Sequence, residues 1–185
     1  MKKITIKTAK IVSGITNPYT RRILSNLIGK NPFAVYCQTP SRLTRLLAGI
    51  TPAQAQRTTT ERRWSITQII NHLCDAEIVT SYRFRIMLAQ SGTTIQAYDE
   101  KRWADNLRYD AADWRAKLVL FIALRNDNIA MLKKLSAREW QRFGIHSERG
   151  KETVERMMQM IAGHDLNHLQ QIKTLRSAHA SSRRR

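Results

Sequence analysis

The stretch Trp64-Ser65-Ile66-Thr67-Gln68-Ile69-Ile70-Asn71-His72-Leu73-Cys74-Asp75-Ala76-Glu77 decides the fold. Ser65 is placed to cap the amide of Gln68, Gln68 to reach back, and Trp64 to staple onto Ile69, so a helix starts here. The apolar residues Ile66, Ile69, Ile70, Leu73, Phe84, Met87 and Leu88 then hold helical spacing until Ser91-Gly92 stops it. A long helix with an apolar face needs other helices to cover that face, and the rest of the chain supplies them.

Upstream, Asn31 caps a helix with Pro32 at its first position, and Phe33, Val35, Tyr36, Leu43, Leu46 and Leu47 carry it to a stop near Gly49. Pro40 is expected to kink or divide that helix. Thr51-Pro52-Ala53-Gln54 starts a short capped turn. Downstream, Asp110 or Ala111 opens a helix with the stripe Trp114, Leu118, Phe121, Ile122, Ile129, Leu132 and Leu135. Ser136-Ala137-Arg138-Glu139 restarts as a capped turn with Leu135 on Trp140, and Thr153 caps a last helix bearing Val154, Met157, Met158, Ile161, Leu169, Ile172 and Leu175. Thr93 to Tyr109 is read as a loop, Gly144 and Gly150 mark another, and no strand alternation is visible. The expectation is an all-α four-helix bundle over residues 31–176, preceded by a poorly ordered basic extension, 1–30, and followed by a basic tail, 177–185.

Composition agrees. The chain has 185 residues, 42% hydrophobic and 25% charged, with only 7 Gly and 4 Pro, which is one globular domain inclined to helix. No run approaches the roughly 18 apolar residues that a membrane span needs. Cys37 and Cys74 have neither disulfide-scaffold nor zinc-ribbon spacing, so a reducing cytoplasm is expected. The formal net charge of +18 is uneven: residues 1–60 hold ten basic and no acidic side chains, and residues 176–185 four Arg and no acid. Residues 61–175 hold 18 basic and 14 acidic side chains, so the body is nearly ordinary and specific nucleic-acid binding is not expected. The acid-free, Ser/Thr-bearing start also suits an organellar transit peptide or an extended translation start.

His164 and His168 lie four apart in Ala162-Gly163-His164-Asp165-Leu166-Asn167-His168-Leu169, on one helix face beside the apolar stripe, with Cβ atoms about 5–6 Å apart. Two imidazoles so placed can share a cation, and His72 is the only histidine mid-helix elsewhere; His146 falls in a loop and His179 in the tail. Three histidines suit zinc or nickel and leave coordination positions for water or substrate. Asp75, one turn after His72, could orient a ligand or ligate, and Gln171, three after His168, could approach the open side. A histidine pair on a seam can equally be hydrogen-bonded core, and Asp75, Glu77 and Asp165 read first as ion-pair or solvent-facing groups. Cys74, offset by two residues from His72, points elsewhere and reads as packing, as does Cys37.

The Trp64–Glu77 string resembles the second-helix signature of the DinB-like, or YfiT-like, superfamily, and Ala162-Gly163-His164-Asp165-Leu166-Asn167-His168-Leu169-Gln170-Gln171-Ile172 resembles its terminal metal motif. Tyr82-Arg83-Phe84-Arg85 and Ala97-Tyr98-Asp99-Glu100-Lys101-Arg102-Trp103 extend the likeness over residues 33–176. The resemblance implies an up-down-down-up bundle with a three-histidine nickel or zinc site, His72, His164 and His168 mapping onto the ligands. Relatives include thiol-dependent transferases and isomerases, and others described as metal-dependent hydrolases. A low-molecular-weight thiol co-substrate and a homodimer are implied in the same way. Asn167 stands where a second histidine is frequent and Ala97 where glycine is common, departures that bear on substrate and leave the ligands intact.

Two functions follow. In one, the metal activates a thiol or water for transfer to, or hydrolysis of, a small electrophilic substrate, with Asp75 or Gln171 assisting orientation or proton transfer. In the other, a non-catalytic stress-response or binding protein uses its basic ends to contact nucleic acid or another acidic partner.

Overall fold

The structure, a computed structural model, describes residues 11–58 and 64–181, with side chains through residue 178. Helices α1 (Pro18–Ser25), α2 (Pro32–Leu47), α3 (Pro52–Gln56) and α4 (Ile66–Ala89) are followed by strand β1 (Thr93–Ile95), α5 (Glu100–Asn106), α6 (Trp114–Leu132) and α7 (Ala137–Trp140). Strands β2 (Phe143–His146) and β3 (Gly150–Thr153) lead into α8 (Val154–Ser181). The four long helices make the expected bundle: α4 packs on α6, α2 on α8, α4 on α8 and α2 on α6. Helices α2 and α4, neighbours in sequence among the long four, therefore sit diagonally. No helix among the described residues is long and apolar enough to cross a membrane.

Local chemistry sets the helix starts. Asn31 accepts from Ala34 N–H, and Thr51, Ser65 and Ser136 each form complete capping boxes with Gln54, Gln68 and Glu139. Thr153 Oγ1 accepts from Arg156 N–H to cap α8. Helix α6 starts later than Asp110 or Ala111, because Asp113 is the residue whose carboxylate accepts from Arg115 and Ala116 N–H.

Pro40 neither divides nor ends α2, which runs unbroken from Pro32 to Leu47. Proline removes the N–H that would bond the Tyr36 carbonyl, and the buried Arg125 Nη1 donates to that oxygen instead, at 3.1 Å.

Three expectations change. The loops conceal a three-stranded sheet in which β2 pairs parallel with β1 and antiparallel with β3. Strands of three or four residues are too short to show alternation in sequence. Gly144 permits this sheet, since a Cβ there would meet the Ile95 side chain at 2.2 Å. The segment 93–109 also holds a helix, α5. Finally, the described part of the N-terminal segment is packed, not an appendage: Ile11, Ile23, Leu24 and Leu27 are buried in the core. Helix α1 lies on α8 at Gly163, where a Cβ would stand 2.3 Å from the Ile23 carbonyl oxygen, and Asn26 Nδ2 donates to the Gly163 carbonyl. Residues 1–10 and 182–185 of the basic ends lie outside the described residues, while residues 177–181 continue α8.

Candidate metal centre

His72 comes from α4 and His164 and His168 from successive turns of α8, so two packed helices fix all three rings. All three are buried. His72 Nε2 lies 2.8 Å from His164 Nε2, and His168 Nε2 lies 3.0 Å from it. Among the described residues, these three form the one group of His, Cys, Asp and Glu donors converging closely enough for a metal, their ligand atoms all within 4.8 Å of one another.

The surroundings prepare the rings as ligands. Burial, with the His168 charge adding, lowers the His72 pKa to about 3. Burial lowers His168 to about 4 against the opposing bond to Gln171, and burial with its two neighbours drives His164 well below the ordinary value. All three are neutral at pH 7, the form that binds metal. His168 Nδ1 pairs with Gln171 Oε1 at 2.8 Å, which puts the proton on Nδ1 and leaves Nε2 bare. Trp64 covers His72 with ring centroids 4.9 Å apart.

The three Nε2 atoms can share protons only among themselves, and His164 Nδ1, on the other side of its ring, is buried without a partner. Tetrahedral zinc, with bonds near 2.0–2.1 Å, spaces its nitrogens about 3.3 Å apart, and the two separations from His164 Nε2, 2.8 and 3.0 Å, lie within a few tenths of an ångström of that. The donor set therefore fits a small divalent cation.

Asp75 is buried beside this group but outside the converging donors: Tyr109 Oη donates to Asp75 Oδ2 at 2.6 Å, and Lys117 Nζ is 3.5 Å from Oδ1. The Tyr109 ring in turn packs on Trp64, at 6.4 Å. Burial pushes the Cys74 thiol up to about 11, in keeping with a packing residue.

Two cavities reach the triad. One, of about 330 Å³, is lined by His164, and a second, of about 630 Å³, by His168 and Gln171 together with Trp64. The smaller one also contains Asn17 and Tyr19, so the N-terminal segment walls it, and His146, placed in a loop by sequence, lines it from β2.

Sequence reasoning missed a neighbouring cluster. Arg125, on α6, donates to Glu77 at 2.8 Å and to Asp165 at 2.6 Å, and all three are 1% exposed. Tyr36 Oη and Asn128 Nδ2 donate to Glu77, and the guanidinium lies 3.9 Å from the Tyr36 ring centroid. Burial pulls the Arg125 pKa down, but Asp165 and Glu77 more than reverse this and hold it charged. Arg125 occupies the stripe position four after Phe121 and four before Ile129, which was the available signal.

Comparison with known proteins agrees with this arrangement. The chain is 26% identical over 140 residues to "Putative metal-dependent hydrolase YfiT" of Bacillus subtilis (strain 168), covering 75% of this chain and 78% of the relative. It is also 26% identical over 134 residues to "Putative metal-dependent hydrolase BH0277" of Halalkalibacterium halodurans, covering 72% and 78%. The solved structure of YfiT from Bacillus subtilis, a four-helix bundle described as unusual in topology, superposes with a TM-score of 0.75 at 23% identity, covering 80% of this chain and 86% of that one. Residues 36–172 match the family model, and with His72, His164 and His168 all inside that span the chain belongs to the DinB superfamily.

Proposed function

We propose that the chain is a metal-dependent enzyme in which His72, His164 and His168 hold one divalent ion, zinc or nickel, and act on a small electrophilic substrate. The convergence of three buried, neutral Nε2 atoms carries this reading. A divalent ion held by three imidazoles supplies Lewis acidity and lowers the pKa of a water or a low-molecular-weight thiol enough to make it a nucleophile at neutral pH.

The chain's own residues prepare that chemistry. Gln171 fixes the tautomer and ring plane of His168, and is a positioning residue. Asp75 acts at one further remove, holding Tyr109, which packs on the Trp64 ring over His72. Helices α4 and α8 set the spacing, which packed helices do more rigidly than loops. Burial disfavours the charged form of the rings and so keeps them unprotonated.

Water as nucleophile makes the protein a hydrolase, the activity in the names of its relatives; a thiol makes it an S-transferase. Metal content of tag-free protein, measured by mass spectrometry beside a His164→Ala, His168→Ala variant, tests the site. Near one zinc or nickel per chain, lost in the variant, is expected; a parent that takes up neither after reconstitution overturns the reading. Electrophilic esters assayed with and without added thiol then separate hydrolysis from transfer.

A further inference from the structure

The cavity that reaches His164 contains a buried N–H without an acceptor and a buried guanidinium without an ion pair. Arg83, on α4, is 8% exposed, yet among the described residues it has no carboxylate at ion-pair distance. It donates from one terminal nitrogen to the Gln96 carbonyl and stacks on Tyr98, 5.8 Å from the ring centroid. Arg149, in the same cavity, differs: Glu152 holds it by two bonds, at 2.7 and 2.9 Å. Glu100 and Glu148 also line the cavity, but both are exposed and neither forms an ion pair with Arg83.

The second donor is His146, 2% exposed. Its Nδ1 accepts from the Glu148 backbone N–H at 3.2 Å, which places the ring proton on Nε2, and Nε2 is buried without a partner. Burial and the nearby Arg149 keep the ring neutral, with a pKa lowered to about 4, so it serves as an uncharged donor at neutral pH. Arg83 feels Glu152 and Glu100 only at a distance, and Arg149 opposes them; a buried cation without a bonded carboxylate and a buried N–H without an acceptor are both costly, and one oxyanion relieves both.

We infer that Arg83 and His146 form a subsite for a carboxylate group on the substrate, in the cavity that His164 also lines. A carboxylate can take two parallel N–H bonds from guanidinium and a third from imidazole. Its single charge suits the one cavity guanidinium without an ion pair, and Glu100 and Glu148 oppose a doubly charged phosphate more strongly. That the ligand is a substrate rests on the metal-dependent reading above; the subsite itself does not.

Titration of the full chain, zinc-loaded and metal-free, with phenylacetate, its neutral isostere phenylacetamide, and inorganic phosphate tests this, the His146 ring nitrogen being followed by NMR. Phenylacetate is expected to move the His146 signal saturably in both forms, phenylacetamide and phosphate to bind far more weakly, and Arg83→Gln to weaken phenylacetate about tenfold or more. His146→Phe should lose severalfold. Equal binding of phenylacetamide or phosphate by the unmodified chain overturns the subsite without recourse to any variant. So does an Arg83→Gln protein that binds phenylacetate like the parent, or binding that exists only with zinc present. Metal content of the same samples separates the two readings, since a chain that binds phenylacetate through Arg83 but takes up no metal keeps the subsite and loses the enzyme.

Discussion

His164 and Asp165 are adjacent on α8, yet they enter buried polar clusters of opposite construction. Asp165 joins Glu77 and Arg125, where cation and carboxylates are paired and further bonded by Tyr36 and Asn128. His164 joins His72 and His168, where like groups face one another and one ring nitrogen has no partner. Both clusters use α4 and α8. Charge separates them: in the first, cation and carboxylates offset one another within the protein, leaving only Arg125 Nε without an acceptor, whereas the second gathers three neutral imidazoles whose Nε2 lone pairs a cation could share.

That contrast can be broken at its strongest point first. Arg125→Met leaves two buried carboxylates without a cation and should cost about 3–5 kcal/mol, read from urea denaturation of the metal-free protein. Adding Glu77→Leu and Asp165→Leu should recover most of the loss, because the charges are then gone together. A loss below about 1 kcal/mol for Arg125→Met would put the network among ornamental ion pairs.

At the triad, the effect should fall on ligand affinity and leave folding nearly intact. Gln171→Leu removes the acceptor that fixes His168, so zinc affinity should drop about 10–100-fold in competition with a chelator. The metal-free urea midpoint should barely move, since Gln171 lies on the exposed side of α8.

Acid sharpens the distinction further. The three rings have folded pKa values below the ordinary histidine value, so the unfolded chain takes up protons first as pH falls. Stability of the metal-free protein is therefore full above about pH 6.5 and declines as pH falls towards about 3, and bound metal is released over the same range. Urea midpoints measured across that range should flatten in a His72→Gln variant; an unchanged slope would remove the triad as the source.

Much of this was legible in sequence wherever the cause was local. Asn31, Thr51, Ser65 and Ser136 bond amides three residues on, and each helix starts where its cap predicts. The spacing of His164 and His168 is likewise a property of one helix. Features made by distant partners were not legible: β1 finds β2 some fifty residues away, and His146 becomes a cavity wall only through that pairing. Arg125 carries no local mark of its role because its partners stand on two other helices, and Gly163 acquires its meaning from Ile23 on α1.

Pro40 tests the smallest link between the two readings. By deleting one N–H it frees the Tyr36 carbonyl, and Arg125 takes it, tying α2 to α6 beside the charged cluster. Pro40→Ala restores the ordinary helix bond to that carbonyl and removes the exclusive claim of Arg125 on it. The helix gains a bond and some propensity, while Arg125 keeps Glu77 and Asp165, so the net change should stay within about 1 kcal/mol of zero. Combined with Arg125→Met the two changes should be non-additive, because the amide restored by Pro40→Ala satisfies the very oxygen that Arg125→Met would otherwise strand. A double-mutant cycle giving no coupling would mean that the carbonyl contact contributes nothing and that Glu77 and Asp165 alone hold Arg125 in place.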